Sequence, residues 1–386
     1  MNILFIYYKG VLPNAGGVAR ITYSLVKLFR EKGNNVSLLG VKNMNDSGYD
    51  YHQFFFPSST ETNENYLFFD EMCKNERYNI IISQIPLIHT WVYNILEKYK
   101  SKYKYKIISC LHNPVLSQVK NLYYRKGYVL RNYKIVLRLL KKGPFLNALI
   151  WYYKRKYKDL YVNMLNHSDR VVVLCEGMYN ELLEMMGKNK IDKVSIIPNF
   201  IDDATTDEAL MRSKEKNIIW CGDINFDIKR IDIALSVWAR LCKYLPEWKL
   251  YILGDGRGLA EAKTLSETLK LDNCFFEGRV DPRPYYEKAA FTLVTSSYES
   301  FSLVTLESLS FGVIPVVFNT FPASELLIDD AKNGFLVKPY DIDSCVNLIK
   351  DCINHEGQID LMSRAAHKSA TRFSRSLMYN QWKNLF

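Results

Sequence analysis

Short runs of Val, Ile and Leu alternate along the chain with longer stretches whose apolar residues recur at helical spacing. In the first half, Ile3–Tyr7, Asn35–Leu39, Ile80–Ser83, Tyr105–Cys110, Arg170–Leu174 and Val194–Ile197 predict strands, and Gly16-Gly17 opens a helix through about Arg30. Apolar runs separated by helical segments predict parallel strands joined by crossovers. The pattern breaks at Pro198-Asn199, and Asp202–Lys216 is polar and acidic without periodicity, which reads as a linker. A second series follows. Strands are predicted at Asn217–Cys221, Lys249–Leu253, Cys274–Glu277, Phe291–Thr295 and Ile314–Phe318, with helices near 230–244, 258–271, 303–311 and 342–353. Ser374–Phe386 reads as a terminal helix carrying Leu377, Tyr379, Trp382 and Leu385. A strand–helix series that restarts after a linker predicts an α/β protein of two doubly wound, Rossmann-like domains facing across a cleft. The expected boundaries are 1–203, 204–372 and a terminal helix over 373–386 that crosses back to the first domain.

Composition supports burial on that scale. The 386 residues are 48% hydrophobic and 24% charged, which excludes a disordered chain. No run of 18 apolar residues predicts a transmembrane helix, and the apolar run within Met1–Tyr8 lacks the basic flank and length of a signal peptide. The eight cysteines, scattered from Cys73 to Cys352, form no CxxC pair. A disulfide framework or zinc ribbon is therefore a poor reading, and a reducing cytoplasm the expected setting.

Charge is distributed unevenly along the chain. The net charge is +10, yet Lys98 to Lys158 alone holds 17 Lys and Arg and no Asp or Glu. The remaining chain has 34 bases against 41 acids. Tyr103, Tyr105, Tyr123, Tyr124, Tyr128, Tyr133, Trp151, Tyr152 and Tyr153 interleave with the cations. A membrane-surface patch, a nucleic-acid patch and a solvated face are the three readings of such a block. Projected as a helix, 129–142 places Val129, Leu130, Tyr133, Val136, Leu137 and Leu140 on one arc. Arg131, Lys134, Arg138, Lys141 and Lys142 occupy the other, with Ile135 and Leu139 beside them. Apolar residues next to cations suit a headgroup layer, where each base contributes ~1 kcal/mol on anionic lipid. No nucleic-acid-binding motif accompanies the block, so a nucleic-acid partner is not expected.

The chemistry concentrates in the second half. Phe291–Thr295 enters the polar turn Ser297-Tyr298-Glu299-Ser300-Phe301, and a helix follows from about Ser302 to Gly312. Gly312 suits a left-handed C′ position. The backbone N–H groups of Ser302, Leu303 and Val304 would then form an anion site at the C-terminal edge of the sheet. Glu299 and Glu307 bracket that site; each reads either as an ordinary surface acid or as an acceptor for vicinal hydroxyls such as those of ribose. Upstream, Ile218–Gly222 is followed by a loop ending in Lys229-Arg230, where a lysine above the same edge could meet phosphate. Asp341-Ile342-Asp343 reads as a helix N-cap rather than a metal site, and no metal is expected.

Together these stretches resemble glycosyltransferase family 4, retaining enzymes of the GT-B fold that include bacterial surface-polysaccharide transferases. The residues that carry the resemblance are Gly222…Lys229-Arg230, Gly254-Asp255-Gly256, Phe276-Glu277-Gly278, Ser297-Tyr298-Glu299…Glu307, Gly312-x-x-Pro315 and Asn333–Val337. In the first half they are Gly16-Gly17, Leu111-His112-Asn113, Val171–Glu176 and Pro198-Asn199. The resemblance implies that Glu307 holds the donor ribose and Glu299 the transferred sugar. It implies that Lys229, with Arg230 and the amides of Ser302, Leu303 and Val304, neutralises the donor diphosphate. Gly16 and Gly17 would let the backbone approach the donor, and His112, otherwise a buried or capping histidine, would lie near its sugar. The implied catalytic set is Glu299, Lys229 and His112, with no cofactor beyond a UDP- or GDP-sugar substrate.

In two places the sequence departs from the family pattern: Asp223 stands where an arginine is common, and the usual glycine-containing turn reads Ser300-Phe301-Ser302. The expected function is transfer of a hexose to a lipid-linked glycan at the inner face of a bacterial membrane, by a cytoplasmic, peripheral enzyme engaging lipid through 98–158. The alternatives are a nucleotide-sugar epimerase and a non-catalytic nucleotide-sugar-binding partner of a transferase.

Overall fold

The computed structural model describes residues 1–11, 16–42, 53–124, 143–201 and 214–386. The amphipathic helix expected over 129–142 lies outside the described residues, as does 202–213 of the expected linker. The linker reading extends too far at its end, because Glu215 and Lys216 already belong to a strand.

The chain folds as two compact units. One comprises Met1–Asn113, Tyr152–Asp202 and Arg375–Phe386; the other comprises Pro114–Trp151 and Asp203–Ser374. The first holds a seven-stranded sheet of β1 (Asn2–Tyr7), β2 (Asn35–Gly40), β3 (Phe54–Phe55), β4 (Ile80–Ser83), β5 (Lys106–Cys110), β6 (Arg170–Val173) and β7 (Val194–Ile196). Its strands run in the order β3-β2-β1-β4-β5-β6-β7 and pair in parallel, with Ile3 opposite Val36 on one side and Ile80 on the other. The second holds β8 (Glu215–Cys221), β9 (Lys249–Leu253), β10 (Cys274–Gly278), β11 (Ala289–Val294), β12 (Ile314–Phe318) and β13 (Phe335–Val337), in the order β10-β9-β8-β11-β12-β13. Numbered from its own first strand, the second sheet repeats the order of the first up to its sixth strand. This is the doubly wound arrangement, and in each sheet the winding reverses beside the first strand.

Both sheets are apolar on both faces because helices cover them. In the first unit, Ile3, Phe5, Ile82, Ile108 and Val172 meet Leu25 and Phe29 of the Gly17–Glu31 helix. The terminal helix Arg375–Lys383 joins this core through Met378 and Trp382. Trp382 meets Phe29 edge-on with centroids 5.9 Å apart, and Arg375 reaches Glu31 at 2.7 Å. In the second unit, Ile218, Trp220, Leu250, Ile252, Phe291 and Val316 pack with Trp238 of the Ile231–Leu241 helix. Burial of each such side chain contributes about 1.5–3 kcal/mol. Among the described residues no helix is long and apolar enough to cross a membrane.

Candidate active site

In the second sheet the winding reverses between β8 and β11, so the loops leaving these neighbouring strands flank a crevice at their C-terminal ends. The loop after β8 is wound by Asn225, whose Oδ1 accepts from the backbone N–H groups of Ile228 at 2.7 Å and Lys229 at 2.8 Å. The loop after β11 is tied to it. The Ser297 N–H donates to the Ile228 carbonyl at 2.6 Å, and its hydroxyl donates to the Asp227 carbonyl at 2.8 Å. Thr295 Oγ1 donates to the Lys229 carbonyl at 2.8 Å and accepts from Trp220 Nε1 at 2.9 Å. A close approach completes the edge: a Cβ on Gly254 would lie 1.9 Å from the Gly222 carbonyl oxygen, so only glycine fits there.

This frame brings Lys229 Nζ to 2.9 Å from Glu299 Oε1, with Ser296 Oγ donating to the same oxygen at 2.5 Å. The side chains keep 25% and 13% exposure, so the pair is largely buried but still reached by solvent. Burial opposes the charge on Lys229, but the Glu299 carboxylate outweighs it and holds the lysine above its ordinary pKa.

The Leu303–Ser310 helix starts beside this pair. Ser302 is its N-cap, with Oγ accepting from Thr305 Oγ1 at 2.8 Å and from the Thr305 N–H at 3.4 Å. Its φ of +68° lies in the left-handed region that favours glycine, which locates the departure noted in the turn sequence. Gly312, with φ +64°, takes the expected left-handed position after the helix. The first N–H groups of a helix have no intrahelical acceptor and carry the positive end of its dipole, so Leu303 and Val304 offer an anion-binding terminus.

Glu307 is not a helix-surface acid. It is 8% exposed and accepts from the Tyr286 hydroxyl at Oε2, 3.2 Å away. Arg230 points to a different partner from phosphate. Its guanidinium grips Asp232 at 2.8 and 2.9 Å, lies 4.5 Å from the Tyr340 ring centroid and donates to the Tyr124 carbonyl. With 3% exposure, its charge is matched inside the protein. Asp223 shapes the loop by accepting from Asn225 Nδ2 at 2.6 Å. Asp341 caps the Ile342–Asn354 helix as expected, accepting from the Ser344 N–H at 3.0 Å.

Gly16, Gly17 and His112 belong to the other unit. Gly16, at φ +104°, precedes the Gly17–Glu31 helix, and a Cβ there would meet nothing within 4 Å; its glycine serves conformation rather than space. His112, just beyond β5, is 8% exposed and pairs through Nε2 with Gln84 Oε1. Burial pushes its pKa down to about 4, so it is neutral near pH 7. Sequence reasoning missed Tyr286, Asn225 and the ties made by Thr295, Ser296 and Ser297; only their clustering in space distinguishes them from ordinary polar residues.

Two family models match this chain. One, described as Glycosyltransferase Family 4, covers residues 15–205, and the other, Glycosyl transferases group 1, covers 203–371. A Haemophilus influenzae protein described as an uncharacterized glycosyltransferase is 27% identical over 219 residues, covering 56% of this chain and 61% of that protein. The Bacillus subtilis poly(glycerol-phosphate) alpha-glucosyltransferase is 27% identical over 231 residues, 59% of this chain and 34% of its own length. The chain thus matches less than two thirds of the length of either relative. A crystal structure of a Staphylococcus aureus TarM mutant with fondaparinux, alpha-GlcNAc-glycerol and UDP aligns over 100% of this chain and 99% of its own, with TM-score 0.74 and 12% identity. At that identity the likeness establishes the fold alone.

Proposed function

Because the chain belongs to glycosyltransferase family 4 and has the GT-B fold, we propose that it moves a sugar from a nucleotide-diphosphate sugar to an acceptor hydroxyl with retention at the anomeric carbon. One observation carries this reading: Lys229, Glu299, the start of the Leu303–Ser310 helix and Glu307 converge on loops and a helix at one switch point. Lys229 and the N–H groups of Ser302, Leu303 and Val304 neutralise the diphosphate. Glu307 accepts from the ribose hydroxyls, and Glu299 from hydroxyls of the transferred sugar. The Lys229–Glu299 contact holds both side chains in place before the donor arrives, so little reorganisation is left for the reaction. The acceptor oxygen bonds to the anomeric carbon on the face that the diphosphate leaves, and a donor phosphate oxygen takes the acceptor proton. No protein nucleophile takes part. Arg230, committed to Asp232, supports the loop, while Gly16, Gly17 and His112 are assigned to the donor by family likeness alone.

The acceptor is a glycan of a bacterial surface polymer, carried on lipid at the cytoplasmic face of the membrane. The polymer named for the B. subtilis relative supports the polymer class, and the UDP in the TarM complex makes UDP-sugars the first donors to try. The test is transfer of labelled sugar from a panel of UDP- and GDP-sugars to membrane extracts. Lys229→Ala is expected to lower kcat/KM about 10- to 100-fold, the value of a charge-assisted contact. Donor consumption without an acceptor would identify an epimerase, and binding without turnover a non-catalytic partner.

A further inference from the structure

Glu307 is reached from outside its own helix. Tyr286, on the Arg283–Lys288 helix, is 1% exposed, and its ring lies parallel to Phe311 with centroids 5.6 Å apart and planes at 12°. Its hydroxyl donates to Glu307 Oε2 at 3.2 Å. Lys214 fastens the backbone behind this contact. Its Nζ donates to the carbonyls of Tyr286 at 3.0 Å, Glu287 at 3.1 Å and Phe311 at 2.8 Å. Those carbonyls stand at the C-terminal ends of the Arg283–Lys288 and Leu303–Ser310 helices, where a cation suits both dipoles. One ammonium thus ties the helix that carries Tyr286 to the helix that carries Glu307.

We propose that Tyr286 is a positioning residue whose hydroxyl fixes the Glu307 carboxylate in the orientation that accepts the ribose hydroxyls of a nucleoside diphosphate, with Lys214 holding the two helices together. The inference rests on the reading of Glu307 as the ribose ligand. A glutamate has three side-chain torsions, and a hydrogen bond at one oxygen removes the freedom of the last. A carboxylate has about four acceptor sites, so this bond leaves room for the ribose. The stack on Phe311 needs only a ring, which phenylalanine would supply equally; the hydroxyl is the part that packing does not require.

The test is titration calorimetry with whichever of UDP and GDP binds, alongside its 2′-deoxy analogue, on the wild type, Tyr286→Phe and Glu307→Gln. Circular dichroism checks that each variant is folded. The wild type is expected to prefer the ribonucleotide. Tyr286→Phe is expected to lose roughly 5- to 10-fold of that preference while its affinity for the deoxy form stays within about twofold. Equal weakening of both forms would make Tyr286 a packing residue and overturn the inference. Full preference in Tyr286→Phe, with preference lost in Glu307→Gln, would overturn it and leave the ribose reading standing. Full preference in Glu307→Gln, or no binding of either nucleotide by the wild type, would remove the ribose reading itself.

Discussion

His112 illustrates what burial does to a single residue. The unfolded chain takes up a proton near pH 6.5, whereas the folded protein refuses it until about pH 4. Between those values the unfolded state binds more protons, so stability is full above about pH 6.5 and falls as the pH drops toward 4. At pH 5 the loss from this residue is about 2 kcal/mol. Urea unfolding at pH 7 and pH 5 should therefore show a smaller drop for His112→Gln than for the wild type, and equal drops would mean that His112 is protonated in the folded protein. Lys229 shows the opposite balance, since a neighbouring carboxylate more than offsets burial. What the sequence showed at this scale was residue type and loop position. It did not show partners: Lys229 and Glu299 are 70 positions apart, and nothing local announces that Arg230 turns to Asp232. Taken alone, Glu307 read either as a surface acid or as a hydroxyl acceptor, because its tyrosine partner comes from another helix.

Elements were more legible than contacts, for a physical reason. Strands covered by helices read as short runs rich in Val, Ile and Leu, and Ile80–Ser83, Lys249–Leu253 and Ile314–Phe318 form where that pattern places them. Strand β3, with two residues, is too short to carry a period, β13 was read only as part of the Asn333–Val337 motif, and the polar start of β8 was absorbed into the linker reading. The turn before the Leu303–Ser310 helix is the element most exposed to test. Ser302 combines a left-handed backbone with a capping hydroxyl, so Ser302→Val removes the cap and puts a β-branched residue at φ +68°. A cost of about 2–3 kcal/mol is expected in urea unfolding. A change below about 0.5 kcal/mol would show that the cap and the backbone strain do not matter there.

Across the whole chain, the two sheets share one strand order over their first six strands, and the restarting alternation along the sequence was the trace of it. The basic block is less uniform in space than in sequence. Lys100 pairs with Asp169 at 2.9 Å, Lys102 with Asp70 at 2.6 Å and Lys154 with Glu184 at 2.9 Å, so part of its charge is matched by acids from elsewhere. On the Gly143–His167 helix, Trp151 and Tyr152 are 62% and 57% exposed, and Arg155, Lys156 and Lys158 are exposed close by. Aromatic rings beside cations suit the headgroup layer in which the proposed lipid-linked acceptor would be met. Flotation with vesicles containing phosphatidylglycerol is expected to carry the protein at low salt and release it at high salt, with Trp151→Ser weakening the association. Absence of flotation at low salt would point to a soluble acceptor.

Everything proposed for this protein requires the donor to bind in the crevice between β8 and β11. The most direct measurement is a crystal structure with bound nucleotide sugar. Lys229 Nζ and the N–H groups of Leu303 and Val304 should lie within hydrogen-bonding distance of the diphosphate, and the Glu307 carboxylate should meet the ribose. Donor density elsewhere, with Lys229 still turned to Glu299 and Glu307 away from any sugar, would contradict it.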